Sequence, residues 1–335
     1  MAQKQLRIGI NGFGRIGRRV FRLMADDSRF KVVAINDVVS AATLIHLLKY
    51  DSIHGIFQED FEATETGFQW SGGAVRVTQI PTPGQIPWSE EQVDVVVECS
   101  GKFKNRTSLQ GHLQQGVQRV ILSVPPDDDS IPTVVMGVND DQLQEEALII
   151  SNASCTTNNA APMIQVVREL CGVEAAYITT VHSYTTDQSL HDQPHRDLRR
   201  ARAAGQSIVP TTTGAAKALT KIFPDLASTI GGCGIRVPVP NGSLTDMTLM
   251  VKENTTIEAV NAAFAKAAEG SSKGLLEYTE VPLVSVDIIG NTHSCVFDAQ
   301  MTSVIGKMVK LIGWYDNETG YAMRIIDLIS RVSLE

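Results

Sequence analysis

At 335 residues the chain is long for one domain and suggests two. Its 43% hydrophobic content is that of a globular protein with ample core, and no apolar run approaches the roughly 20 residues of a membrane span. A net charge of −8 argues against a nucleic-acid or anionic-membrane partner, while five cysteines without a C-x-x-C pair argue for a reducing, cytoplasmic setting rather than a disulfide or zinc framework.

Residues 1–7 run almost directly into a strand, so no secretory leader is expected. Leu6 to Ile10 is that strand, Gly12-Phe13-Gly14-Arg15-Ile16-Gly17 follows, and Val20, Phe21, Leu23 and Met24 continue at helical spacing. This is G-x-G-x-x-G between a strand and a helix. Gly12 allows the tight turn, Gly14 lets a pyrophosphate approach the backbone, and Gly17 lets helix and strand pack closely. Phe30 to Ile35 reads as a second strand, with Asp37 just beyond it, 20 residues past Gly17. A carboxylate there accepts hydrogen bonds from ribose hydroxyls and repels a 2′-phosphate, so the cofactor predicted is NAD rather than NADP.

Helix and strand then alternate: helix over 41–50, strand over 93–98, helix over 109–115, and strands over 120–122, 133–136 and 147–150. Residues 55–88 read as an antiparallel excursion. Asp127-Asp128-Asp129 after two prolines reads as a solvated turn, because no other acidic or histidine cluster accompanies it. The fold expected is α/β: a doubly wound, Rossmann-type parallel sheet over 1–153. Beyond it the pattern becomes an α+β domain over 154–316, with strands over 176–182, 233–238, 244–252, 284–289, 294–301 and 308–315 forming a mostly antiparallel sheet. Helices are expected over 214–223 and 258–269, and a terminal helix over 317–335 that could complete the first domain.

Cys155 stands in Ser151-Asn152-Ala153-Ser154-Cys155-Thr156-Thr157-Asn158, among hydroxyls and amides rather than the aliphatic neighbours of a core cysteine. A buried strand precedes it, and Met163, Val166, Val167 and Leu170 follow at helical spacing. Cys155 is therefore placed near a helix start, where the dipole end lowers a thiol pKa. Pro162 then needs to fall within the first turns. A dinucleotide domain followed by such a cysteine points to aldehyde oxidation through a thiohemiacetal, which needs a base. His182, ending the strand Tyr177–Val181, is the candidate, and the other six histidines read as surface residues. Four arginines lie among residues 196–202, which fits either an anion site or salt bridges at a domain or subunit contact.

The segments Asn11–Arg18, Ser151–Asn158 and Trp314-Tyr315-Asp316-Asn317-Glu318-Thr319-Gly320-Tyr321 closely resemble phosphorylating glyceraldehyde-3-phosphate dehydrogenase, and the likeness runs from about residue 6 to residue 332. The resemblance implies Cys155 as nucleophile and His182 as base, acting on glyceraldehyde 3-phosphate. It implies Thr185 and Arg236 at the substrate phosphate, and Ser154, Thr156, Arg200, Thr213 and Gly214 around inorganic phosphate. NAD would meet Arg15, Ile16, Asp37, Ser123 and Asn317. It further implies a homotetramer whose arginine-bearing loop lies at a subunit contact beside the cofactor, so both readings of the arginine cluster hold. Two departures stand out. Asn159 occupies the place of a frequent second cysteine that takes no part in catalysis, and Gln193 stands where NAD-specific members often carry an apolar residue. Erythrose-4-phosphate dehydrogenase shares the Cys–His pair, but Thr213–Lys217 resembles the glyceraldehyde-phosphate type.

Overall fold

Ile8 and Ile10 are fully buried at the centre of the first strand, and the amino-terminal half is laid down on either side of it. In the computed structural model, which describes residues 5–333, this is β1 (Leu6–Asn11), followed by α1 (Arg15–Ala25), β2 (Phe30–Asn36) and α2 (Ala41–Lys49). A short ribbon, β3 (Tyr50–Asp51) with β4 (Gly55–Ile56), precedes β5 (Glu62–Thr64), β6 (Gly67–Trp70) and β7 (Gly73–Thr78). Then come β8 (Val95–Glu98), α3 (Arg106–Leu113), β9 (Arg119–Leu122) and β10 (Ile149–Ser151). The sheet runs β10-β9-β8-β1-β2-β7-β6-β5, parallel from β10 to β7 and antiparallel over the excursion β7-β6-β5. Because β1 has β2 on one side and β8 on the other, the winding reverses there. The carboxyl edge at such a switch point is where open α/β sheets take ligands.

The second sheet is built from β11 (Val173–Ser183), β12 (Val209–Thr211), β13 (Ile230–Val237), β14 (Ser243–Val251), β15 (Leu276–Thr279), β16 (Cys295–Asp298), β17 (Ser303–Ile305) and β18 (Met308–Tyr315). Its order is β12-β13-β11-β14-β18-β16-β15, with β17 on β18 and with β11/β13 and β15/β16 as its parallel pairs. Strict alternation of buried residues along β14 (Ser243, Thr245, Met247, Leu249, Val251) shows one face covered. α4 (Cys155–Cys171) lies on that face: a Cβ added to Gly313 of β18 would meet Met163 Sδ at 2.7 Å. α5 (Ala215–Ile222), α6 (Ile257–Glu269) and α7 (Thr319–Ser333) complete the helices, and Asp316 caps α7 by accepting from the N–H groups of Glu318 and Thr319, both at 2.8 Å.

By internal contacts the described residues up to Val134, Gln142–Ala153 and those from Ala322 onward make one unit, and Val135–Asp141 with Ser154–Tyr321 make the other. The expected helical residues 334–335 and the start of the chain at 1–4 lie outside the described residues.

Three expectations are corrected. The strand over 133–136 is a single bridge from Thr133 to Ser151, because the Asn139 side chain takes the Val135 N–H at 2.8 Å and turns the chain. Residues 285–288 form a 3-10 turn, with the Asp287 carboxylate accepting from the Val284 N–H at 2.8 Å, instead of a strand. Pro162 sits well inside α4 rather than in its first turns; it has no N–H for the carbonyl four residues back, a loss the packing of this fully buried stretch absorbs.

Candidate active site

In the first unit the glycine turn is shaped for a close backbone approach. Gly12 has φ +88°, and a Cβ there would meet Ser100 N at 2.5 Å. A Cβ on Gly17 would lie 2.4 Å from the Gly12 carbonyl oxygen, so only glycine lets α1 start this close to β1. Gly14 is the N-cap of α1, has no side chain to cap it, and has open space where a Cβ would stand. Asp37 is fixed against this turn: one oxygen accepts the Phe13 N–H at 2.7 Å, the other the Val39 N–H at 3.1 Å. A cradle that a Cβ would fill, a helix N-terminus and a fixed carboxylate together fit a dinucleotide. Arg15 forks onto Asp51 at 2.8 and 3.1 Å, and Ile16 is half-buried beside it. Ser123 is buried just past β9, its N–H donating to the Glu98 carbonyl at 3.0 Å.

In the second unit the chain enters α4 through Ser154, whose hydroxyl accepts the Thr157 N–H at 3.2 Å, so Cys155 is the first helical residue. His182 is buried near the carboxyl end of β11, and its Nε2 lies 3.4 Å from Cys155 Sγ. The predicted pair is therefore assembled from a helix start and a strand end. His182 and Arg236 are register partners on the neighbouring strands β11 and β13, which puts Arg236 Nη1 2.7 Å from His182 Nδ1.

The electrostatics differ from the simple helix-dipole expectation. Burial pushes the Cys155 thiol above its ordinary value, opposed by the charge of Arg236 and by the Thr156 hydroxyl and N–H. Burial also lowers His182, to about 3, with Arg236 adding to the shift and the Ser183 carbonyl opposing it. A charge on either partner alone is disfavoured, and the cation that favours the thiolate also discourages the imidazolium.

The remaining predicted residues divide. Thr156 Oγ1 is 2.8 Å from the Tyr315 hydroxyl. Arg200 donates to Thr211 Oγ1 at 2.9 Å and to the Thr212 carbonyl at 3.2 Å, and pairs closely with Asp187. Thr213 accepts the Ala215 N–H at 3.2 Å, next to Gly214 at the cap of α5. Thr185 is half-buried in the turn after β11, with its carbonyl accepting from Gln188, and no hydrogen bond joins it to Arg236. Asn317 is buried, its amide oxygen accepting from the Ser183 and Ser243 hydroxyls at 2.8 and 2.9 Å.

Two family models match the chain: glyceraldehyde 3-phosphate dehydrogenase, NAD binding domain, over residues 6–106, and the C-terminal domain of the same family over 154–317. The chain belongs to the glyceraldehyde-3-phosphate dehydrogenase family. It is similar to glyceraldehyde-3-phosphate dehydrogenase 1 of Streptomyces avermitilis, with 49% identity over 96% of this chain and 97% of that one. The corresponding figures are 48%, 98% and 97% for glyceraldehyde-3-phosphate dehydrogenase 2 of Bacillus subtilis, and 49%, 96% and 98% for the enzyme of Thermotoga maritima. The protein is an NAD-dependent oxidoreductase, and the erythrose-4-phosphate alternative is not favoured.

Membership gives the Asn159 departure a structural reading. The Asn159 side chain is buried and donates to the Ser294 and Trp314 carbonyls, both at 3.2 Å, tying α4 to the sheet where the family often has a thiol. Tyr315 was missed by sequence reasoning although it lies inside a quoted motif. It is buried, and its hydroxyl also reaches Thr180 Oγ1 at 2.8 Å. Burial, with Cys155 nearby, raises its phenol and keeps the proton on. Among the histidines expected at the surface, His112 is fully buried. Trp88 Nε1 donates to its Nδ1 at 3.0 Å, which leaves Nε2 to donate to Glu98 at 3.1 Å. Glu98 accepts also from Asn11 Nδ2 at 2.5 Å and the Ser100 N–H at 2.7 Å, binding the ends of β1 and β8 together beneath the glycine turn.

Proposed function

We propose that the chain oxidises and phosphorylates D-glyceraldehyde 3-phosphate to 1,3-bisphosphoglycerate with NAD. The observation that carries this reading is Cys155 Sγ held 3.4 Å from His182 Nε2 at the start of α4. His182 takes the thiol proton as Cys155 adds to the aldehyde carbon and passes it to the former carbonyl oxygen, which gives a thiohemiacetal on the sulfur and leaves the imidazole neutral again. The same imidazole accepts the hydroxyl proton of the adduct as it is oxidised to the thioester. Inorganic phosphate then cleaves the thioester, and the acyl phosphate leaves Cys155 free. Bound NAD supplies the hydride acceptor for the oxidation.

Arg236 forms no ion pair among the described residues, and a partly desolvated guanidinium without a carboxylate partner supports its assignment, with Thr185, to the substrate phosphate. Ser154, Thr156, Arg200, Thr213 and Gly214 receive inorganic phosphate in this reading. Gly12, Gly14, Arg15, Ile16, Gly17, Asp37 and Ser123 hold NAD, and Asn317 keeps its family assignment as a cofactor contact.

A homotetramer fits the outer face of the second sheet, where Tyr177, Met250 and Met308 are exposed. Five unpaired cysteines suit a cytoplasmic setting, and no described helix is long and apolar enough to cross a membrane.

The test is NADH formation from glyceraldehyde 3-phosphate and NAD, with and without inorganic phosphate or arsenate. Steady turnover only with the oxyanion supports thioester phosphorolysis. A burst that phosphate cannot prolong removes the inorganic-phosphate assignment, and no NADH at all removes the whole reading.

A further inference from the structure

Five residues that follow β11 close into a cycle of polar contacts through Arg200, the arginine assigned to inorganic phosphate. Arg200 pairs closely with Asp187, and its Nε donates to Thr211 Oγ1 at 2.9 Å. Thr211 donates to Asp197 Oδ2 at 2.6 Å, and the Asp197 N–H donates to His195 Nδ1 at 2.9 Å. His195 Nε2 lies 3.6 Å from Asp187 Oδ1, which completes the cycle. Burial alone would raise Asp187, but Arg200 and then His195 hold it below its ordinary value. The Thr211 hydroxyl and the Arg199 N–H lower Asp197 as well. With His195 neutral, one guanidinium therefore stands against two carboxylates, an unfavourable setting for a phosphate dianion.

His195 is placed to change that sum, because its Nδ1 has a partner in either charge state. The neutral imidazole accepts the Asp197 N–H, which leaves its proton on Nε2 toward Asp187. The cation can instead donate from Nδ1 to the Asp197 carbonyl oxygen, 3.1 Å away, while Nε2 pairs with Asp187. We infer that His195 is a positioning residue for inorganic phosphate: its cation shares Asp187 with Arg200, leaves the guanidinium freer to hold an oxyanion, and makes oxyanion affinity rise as pH falls. The inference rests on the assignment of Arg200 to inorganic phosphate.

Asp187 faces His195 from the turn after β11, and Asp197 and Arg200 belong to the same loop as His195. Arg236 of β13 interacts electrostatically with Arg200 and Asp187 behind them. Arg196 and Arg199 flank the loop and are exposed. Histidine is the one residue type in the cycle whose charge ordinarily changes near neutrality, whereas aspartate and arginine keep theirs.

The probe is sulfate, which stays a dianion where inorganic phosphate itself titrates. Its inhibition constant against inorganic phosphate is measured from about pH 6 to about pH 8.5, with glyceraldehyde 3-phosphate saturating so that the substrate phosphate site is filled. Spectra of labelled histidine in the full-length chain follow His195 over the same range. Sulfate should bind the native chain about three- to tenfold more tightly at the acid end, with a midpoint that matches the His195 titration. His195→Asn keeps an acceptor for the Asp197 N–H but no charge, so it should lose this dependence and bind weakly throughout. His195→Lys carries a fixed charge and should lose the dependence while binding tightly throughout. An acid-side gain that survives in His195→Asn, or a His195 that does not titrate across the range, overturns the positioning role. Arg200→Gln tests the underlying assignment separately. If sulfate competes with phosphate there as well as in the native chain, Arg200 does not hold inorganic phosphate, and the inference falls with that assignment.

Discussion

Replacing Asp37 by Asn should shift cofactor choice by a predictable amount. The native carboxylate is held by two backbone N–H groups, from Phe13 at 2.7 Å and Val39 at 3.1 Å, so it cannot swing away from a phosphate added to the ribose. Two unit charges about 4 Å apart in water interact by about 1 kcal/mol, and a phosphate monoester carries roughly 1.5 to 2 charges, so the repulsion against NADP is about 2 kcal/mol. For NAD, a hydrogen bond to a charged acceptor contributes about 1.5–3 kcal/mol. Asparagine keeps one acceptor oxygen but turns its amide donors toward the second N–H, so about one such bond is lost. NADP should therefore bind about 30-fold better and NAD about 10- to 100-fold worse, a swing of about 10²–10³ or more in their ratio. Calorimetry on both cofactors reads this directly. The repulsive part should shrink in high salt, because Asp37 is only half-buried, whereas the hydrogen-bond part should not. A ratio within about threefold of the native protein would refute the ribose assignment, provided the variant melts close to the native temperature.

Gly17→Ala must move α1 off the Gly12 carbonyl, so NAD should bind at least about tenfold more weakly in a titration, with a lower melting temperature. Tyr315→Phe leaves the Thr156 and Thr180 hydroxyls without their shared partner; KM for inorganic phosphate should rise several-fold while the thioester burst is retained. Glu98→Gln turns an amide donor against the donors of Asn11, Ser100 and His112, and urea unfolding should show a loss of about 2–4 kcal/mol. Burial would raise Asp51, but the N–H groups of His54 and Ile53 with Arg15 bring it to about 2. Its folded value is thus below its unfolded one, so its stabilisation of about 2.5 kcal/mol is complete above about pH 5 and is lost as pH falls toward 2. Stability of Asp51→Asn should accordingly be flatter across that window.

The features legible in the sequence were those whose meaning is local. A G-x-G-x-x-G between strand and helix carries its turn, its close approach and its helix start within six residues, and the structure returns all three. Cys155 announced itself by neighbours too polar for a core cysteine, and His182 by ending an apolar strand. What stayed hidden depends on which distant elements become neighbours. Tyr315 meets Thr156 and Thr180 only because β18 lies one strand from β11, with β14 between them. His112 looked like a surface residue because its partners, Trp88 and Glu98, are 24 and 14 residues away in sequence. The thiol's upward shift was also missed, since a helix start is read from a few residues while burial is read from the whole fold.

One long-range signal was nevertheless present in the strands. The buried face of β11 reads Ala176, Ile178, Thr180, His182; that of β14, taken in reverse, reads Leu249, Met247, Thr245, Ser243; and that of β18 reads Val309, Leu311, Gly313, Tyr315. Register sets Ile178, Met247 and Leu311 side by side, then Thr180, Thr245 and Gly313, and then Ser243 and Tyr315. All three strands thus change from apolar to hydroxyl, imidazole or phenol at one end of a covered face. Burying such groups is unfavourable unless they are partnered, so a coordinated change across neighbouring strands marks a place where polar groups are kept for chemistry. Gly313 supplies the space this arrangement needs, because a Cβ there would meet the Met163 thioether of α4 at 2.7 Å and Cys295 Sγ at 2.9 Å. The polarity of the face and the closeness of the helix over it are one device.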